Sequence, residues 1–175
     1  MHQMAAFDPR GDLRVVVECP RGSRVKLKYD PELGAFRLLR PLTSGLSFPF
    51  DWGFVPGTLA PDGDPLDAIL FHDVPTYPGV VVAANPVAVL KLTQSATGNG
   101  RERNDRIIVV PAGEARRGDT LNLDARMRAE IERFCLSVTA FLPKHAELEG
   151  WEDAAYARRL IKECQIGTSL AGEPT

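Results

Sequence analysis

Asp62, Asp64 and Asp67 place three carboxylates within six residues, in the stretch Asp62-Gly63-Asp64-Pro65-Leu66-Asp67-Ala68. Like charges this close repel by about 1 kcal/mol per pair at 4 Å in bulk water, and by more near a low-dielectric surface. A folded chain that gathers them calls for a cation. In an extended segment Asp62 and Asp64 share one side, and a bend at Pro65 brings Asp67 round to join them. The product is an all-oxygen pocket suited to a hard divalent ion such as Mg²⁺ or Mn²⁺. The same residues also suit an ordinary solvated acidic turn, because Asp-Gly and Asp-Pro pairs are common turn formers. An EF-hand loop is excluded: with Asp62 as first ligand, Leu66 falls at the fifth position and Asp67 where that loop needs glycine.

The elements that must position these carboxylates are short and β-rich before residue 118. Leu13 to Glu18 is a β-branched run ended by Pro20 and Arg21-Gly22-Ser23. Val25 to Tyr29 and Ala35 to Arg40 flank Asp30-Pro31-Glu32-Leu33-Gly34, a hairpin connection with Lys26 and Lys28 on one arm and Arg37 and Arg40 on the other. Phe48 to Thr58 is too rich in Pro, Gly and aromatics for a long helix. Phe71, Val80 to Ala84, Val87 to Leu92 and Ile107 to Val110 supply further short apolar strands. Gln94 to Asp105 reads as an exposed hairpin loop. The pattern then changes: Met127, Ile131, Phe134, Val138 and Phe141 recur at steps of four and three, predicting a helix from Asp124 to Leu142 stopped by Pro143. A second helix is expected from Asp153 to Cys164, with Ala157, Leu160, Ile161 and Cys164 inward, and Thr168 to Thr175 as a frayed tail. Strands followed by two helices define an α+β fold, a small β-barrel with helices on its outside.

The 175 residues suffice for one well-buried core, so a single domain is expected. With 21 basic and 23 acidic residues, the chain lacks the charge excess of a protein that coats nucleic acid or an anionic membrane. No apolar run reaches the roughly 18 to 20 residues of a membrane span, and Met1-His2-Gln3-Met4 does not open a signal peptide. Cys19, Cys135 and Cys164 are odd in number and widely spaced, which fits reduced, buried thiols in a cytoplasmic protein. His2, His72 and His145 are scattered and receive no catalytic role. His72-Asp73 reads as a surface pair.

Asp62 to Ala68 resembles, at every position, the signature segment of the family I soluble inorganic pyrophosphatases. Glu18-Cys19-Pro20-Arg21-Gly22-Ser23-Arg24-Val25-Lys26 is similar to the family's Glu-Ile-Pro-x-Gly-Ser-x-x-Lys, and Gly34 to Arg40 to its Gly-x-x-x-x-x-Arg strand. Phe48 to Thr58 resembles its Tyr-Pro-x-x-Tyr-Gly-Phe-Ile-Pro-x-Thr block, and Glu149-Gly150-Trp151 its C-terminal end. With Val87 to Lys91 and Ile107 to Pro111, the resemblance spans about residues 13 to 165. It implies an OB-like five-stranded barrel, Mg²⁺-dependent hydrolysis of pyrophosphate to two phosphates, a cytoplasmic location and a homo-oligomer, often a hexamer. It also implies Asp62 and Asp67 as metal ligands, Asp64 as the carboxylate that helps deprotonate the attacking water, Lys26 and Arg40 as phosphate-binding cations, and Glu18 as an outer carboxylate.

The departures from the family pattern are specific. Phe48 and Trp52 stand for two tyrosines, and Lys28 for a glutamate, which reverses a charge. Gln94 stands for an aspartate ligand. With Pro111 held in register, the family's Asp-x-Lys triplet falls on Asn104-Asp105-Arg106, so Arg106 keeps the phosphate cation and Asp105 replaces the lost ligand if the longer loop shifts by one. Val138 and Thr139 stand for a Tyr-Lys pair, whose contacts Lys144 or a partner subunit would have to supply. Two readings follow: an active, divergent metal-dependent phosphoanhydride hydrolase, and a catalytically impaired descendant that binds metal or a phosphate-bearing ligand.

Overall fold

Alternating buried residues organise the strands on two faces at once. In the computed structural model, which describes residues 1, 4–96, 100–115 and 123–166, the elements are β1 (Leu13–Cys19), β2 (Val25–Asp30), β3 (Ala35–Pro41), β4 (Asp51–Phe54), β5 (Asp67–Leu70), β6 (Val81–Ser95), β7 (Arg101–Arg103), β8 (Arg106–Pro111), α1 (Ala112–Ala115), α2 (Ala125–Thr139), β9 (Ala146–Asp153) and α3 (Ala154–Glu163). Strands β1, β4, β5, β8 and β6 pair in that order, and β6 pairs back to β1, closing a five-stranded ring. Successive side chains on a strand point to opposite faces. Ala68 and Leu70 of β5 and Ile107 and Val109 of β8 therefore join a buried cluster that includes Ala157 and Ile161 of α3. Ile69 and Ile108, one step out of phase, join a second cluster with Ile131, Phe134 and Cys135 of α2. This is the expected α+β barrel with two C-terminal helices.

Three local devices aim the chain at one end of the barrel. Gly53 of β4 lies where β4 crosses closest to β1, and a Cβ there would collide with the Val16 carbonyl oxygen, so only glycine fits. Asp51, 1% exposed, accepts hydrogen bonds from the Arg21 N–H (2.6 Å), the Thr76 N–H (3.1 Å) and the Thr76 hydroxyl (2.6 Å), and lies 2.9 Å from His72 Nε2. That network pins the turn after β1 and the loop after β5. His72 is thus a largely buried partner of Asp51, not the surface pair that its neighbour Asp73 led the sequence reading to expect. The third device is β5 itself, which runs parallel to β8 with Asp67 opposite Arg106.

Several boundaries differ from the sequence expectation. Val80–Ala84 and Val87–Leu92 belong to one strand, β6, whose register shifts between Pro86 and Ala88 because Pro86 has no N–H for the ladder. Asp124 caps α2 by accepting the Met127 N–H at 2.8 Å, and Asp153 caps α3 by accepting the Tyr156 N–H at 2.9 Å. Helix α2 ends at Thr139, before Pro143, so Phe141 lies beyond it, 82% exposed, and not on its apolar face. The segment around Glu149-Gly150-Trp151 is a strand, β9, paired to β6. Residues 94–105 are not an exposed loop throughout, since Gln94, Asn104 and Asp105 are buried. The cysteines are free, Cys19 and Cys135 buried and Cys164 half-buried. The expected tail from residue 168 lies outside the described residues, as does His2. Among the described residues no helix is long and apolar enough to cross a membrane.

Candidate active site

The β2–β3 hairpin stands apart from the barrel ring as its own two-stranded sheet. Its register sets Lys26 opposite Arg40 and Lys28 opposite Arg37, so four cations share one small element. Opposed like charges destabilise a strand pair unless anions compensate. Glu18 compensates Lys26, Asp30 compensates Arg37, and Asp64 compensates Lys28 from the opposite wall, where Gly63, at φ +84°, turns the chain between Asp62 and Asp64 before β5 begins at Asp67. Between the walls is a cleft of about 540 Å³. It is lined by six acidic residues (Glu18, Asp30, Glu32, Asp62, Asp64, Asp67) and six basic ones (Lys26, Lys28, Arg37, Arg40, Arg106, Lys144), so its formal charges balance. Aromatic rings also line it, Phe48 lying edge-on to Trp52 and tilted against Phe134.

Of the residues singled out in the sequence, Asp62, Asp64, Asp67, Lys26, Arg40, Arg106 and Glu18 all line this cleft. Asp105 does not. Asn104 and Arg106 face the cleft, and Asp105 between them faces the opposite way. There it is 5% exposed, accepts the Leu92 N–H at 3.1 Å and pairs with Arg103 at 2.8 Å. The one-residue shift that would make Asp105 a cleft ligand therefore does not occur, because alternation and a buried anchoring bond hold it away. Asn104 takes the cleft position instead, its Oδ1 accepting from Arg106. Gln94 also lines the cleft, donating from Nε2 to Glu102 at 2.9 Å. Lys144, 3.5 Å from Glu102, reaches the cleft from the segment after α2.

Each carboxylate has its own electrostatic setting. Arg106 pairs with Asp67, which also accepts the Trp52 indole N–H at 3.1 Å, and the guanidinium lies 5.2 Å over the Trp52 ring. The Arg106 Nε is buried with no acceptor among the described residues, a donor suited to an anion. Lys28 Nζ contacts both oxygens of Asp64, at 2.6 and 2.8 Å. Buried Glu18 accepts the Tyr29 N–H at 2.8 Å and lies 3.6 Å from Lys26. Burial pushes the Glu18 carboxyl above the usual carboxylate range, and Lys26 and the Tyr29 amide only partly offset it. Burial works against the charge on Lys26, but Glu18 and Asp67 outweigh it and hold the ammonium above the ordinary lysine value. Half-burial, followed by repulsion from Asp67 and Asp64, raises Asp62 despite the Asp64 N–H and Arg106.

Unlike Asp64 and Asp67, Asp62 forms no ion pair among the described residues, its Oδ1 taking the Asp64 N–H at 3.2 Å. Asp67, Asn104 and Gln94 line the same cleft, and their side-chain oxygens with those of Asp62 are of the kind that suits a hard divalent ion. Among the described residues no three His, Cys, Asp or Glu side chains converge into a ready-made ligand cluster. Asp64 and Asp67 are instead engaged by Lys28 and Arg106.

Lys26 and Arg40 differ in what they hold up. Arg40 donates to the Val138 carbonyl at 3.0 Å and the Pro41 carbonyl at 3.3 Å, tying the hairpin to the last turn of α2 and leaving three N–H donors. Arg40→Ala should lower thermal stability only slightly, by about 1 kcal/mol or 2 to 4 °C. Lys26→Ala strands buried Glu18 and should cost about 3 kcal/mol. Pairing Lys26→Met with Glu18→Gln should recover most of that in a thermal melt. A Lys26→Ala protein as stable as the wild type would mean that Glu18 carries no charge at neutral pH.

A balanced cleft of cations and carboxylates at the mouth of a closed barrel, with oxygen donors for a divalent ion, marks the chain as a barrel of the phosphate-handling kind. The inorganic pyrophosphatase family model matches residues 15–167. An inorganic pyrophosphatase from Synechocystis is 35% identical over 167 residues, covering 94% of this chain and 96% of that relative. One from Leifsonia xyli is 36% identical over 163 residues, covering 91% and 93%. The crystal structure of inorganic pyrophosphatase from Thermus thermophilus superposes with a TM-score of 0.83 at 32% identity, covering 93% of this chain and 95% of that one. The Helicobacter pylori enzyme superposes at 0.81 with 28% identity, covering 92% and 95%. The chain belongs to the inorganic pyrophosphatase family.

Proposed function

We propose that this chain hydrolyses inorganic pyrophosphate to two phosphates with the help of a divalent ion. The observation that carries the reading is the pairing of Asp62, which forms no ion pair among the described residues, with a cation-lined opposite wall, in a chain whose relatives are named inorganic pyrophosphatases over nearly their whole length. Asp62 and Asp67 would hold the ion, with Asn104 and Gln94 as neutral oxygen donors. When bound, a divalent ion supplies positive charge to the phosphoanhydride and makes water a better nucleophile at neutral pH. Lys26, Arg40 and Arg106 bind phosphate oxygens and fix the substrate for in-line attack, and the buried Arg106 Nε finds its acceptor there. Asp64 takes the proton of the attacking water. Glu18 keeps Lys26 charged and aimed into the cleft.

The reading extends to Mg²⁺ or Mn²⁺ as the ion, one domain, a homo-oligomer with the hexamer implied by family resemblance, and a cytoplasmic location. The direct test is phosphate release from pyrophosphate by the pure protein across Mg²⁺ and Mn²⁺ concentrations; no release with either ion would refute it.

The raised Asp62 adds a pH signature. Its carboxyl is protonated at higher pH than an ordinary aspartate, so divalent-ion affinity should be full above that raised value and fall as pH drops through it. Folding moves the opposite way, since a raised carboxyl pKa contributes stability below the unfolded value that is lost as pH rises through the folded one. Calorimetric Mn²⁺ titration from neutral to mildly acidic pH checks this. Affinity that stays flat until the ordinary aspartate range would remove Asp62 from the ligand set.

A further inference from the structure

Lys28 stands two residues from Lys26 on β2, and both side chains line the cleft. Lys26 is held at its base by buried Glu18, and Arg37 by Asp30 on its own hairpin, at 3.3 Å. Lys28 differs: its partner, Asp64, lies 36 residues away on the opposite wall, so this ion pair bridges the cleft from hairpin to acidic loop. Both ends are open to solvent, at 37% and 54% side-chain exposure. Such a pair contributes little to stability and breaks readily. A phosphate group offers the same ammonium a denser negative charge and more acceptor oxygens than one carboxylate does.

We propose that Lys28 is a substrate-binding residue that exchanges Asp64 for a phosphate oxygen of the bound phosphoanhydride. The exchange does two things at once. It supplies positive charge from the chain itself, so that the substrate binds even when divalent ions are withheld, and it releases Asp64 from its counterion at the moment substrate arrives. Lys26, Arg40 and Arg106 line the same cleft, so the chain itself offers further cations to the anion that Lys28 would meet. The inference rests on the hydrolytic reading of the same site.

The test is calorimetric titration of methylenebisphosphonate, a non-hydrolysable probe, in EDTA. Wild type should bind it, Lys28→Met should bind about tenfold more weakly or worse, and Lys28→Arg should stay close to wild type. Thermal melts of the variants should match the wild type, since the pair is exposed. Equal binding by wild type and Lys28→Met, a wild type that binds only with divalent ions, or a sharply lowered melt of Lys28→Met would each overturn the proposal. Phosphate release by wild type with Mg²⁺ separates the two readings. Release without metal-free binding refutes the role of Lys28 alone, whereas loss of both refutes the hydrolase reading as well.

Discussion

Asp67→Asn is expected to reduce pyrophosphate hydrolysis by about two to four powers of ten and to destabilise the fold as well. Asp67 is where the site and the barrel meet, since it starts β5, lies opposite Arg106 across the parallel β5–β8 pair, and accepts the Trp52 indole N–H. Arg106 is 9% exposed, so neutralising its partner leaves a buried guanidinium without a counter-charge, a loss of about 3 kcal/mol. In a chain of this size that corresponds to a melting shift of about 6 to 12 °C. The catalytic loss is separate: an amide is a poorer ligand for a hard cation, and the several kcal/mol of charge stabilisation that an ion supplies translate into that range of rate. Phosphate release and a thermal melt on the same preparation measure both. An unchanged melting temperature would show that Arg106 is neutralised by something other than Asp67, and near-normal turnover would take Asp67 out of the ligand set.

Asp64→Asn should have the opposite profile. Its partner Lys28 is exposed, so stability should move by less than about 1 kcal/mol. Ion affinity should also change little, because Asp62 and Asp67 remain. Turnover should nevertheless fall by about two to four powers of ten, the usual contribution of a positioned general base. Measuring Mn²⁺ affinity beside turnover distinguishes proton acceptor from ligand, and equal losses in both would reassign Asp64 to the metal. Gln94 and Asn104 sharpen the contrast. Both are buried and bonded in chain, Gln94 to Glu102 and Asn104 to Arg106, so restoring aspartates at these positions is not a change on a solvated loop. A carboxylate at residue 94 would face Glu102.

Much was legible in the chain itself because local rules decide it. The apolar spacing from Met127 to Val138 and the aspartates at 124 and 153 define α2 and α3 to within a few residues, since helix period and capping depend only on near neighbours. The acidic segment 62–67 was recognisable because like charges gather at such spacing for a ligand, and Lys26, Arg40 and Arg106 through their resemblance to the family's motifs. What only the tertiary structure decided is which way side chains face and what they meet across the cleft. One step of strand alternation turns Asp105 away to Leu92 and Arg103 and presents Asn104 in its place. The closure of β6 onto β1, and the merging of two apolar runs into one bulged strand, depend on pairings far apart in the chain. His72 looked solvent-facing because its partner, Asp51, lies 21 residues earlier. The Lys28–Asp64 pair, 36 residues apart, could not be read locally either. Lys28 was visible as a hairpin cation and a reversed charge. Folding gave that charge a meaning by laying the hairpin against the acidic loop, because electrostatic partners are set by distance in space, which sequence separation does not encode.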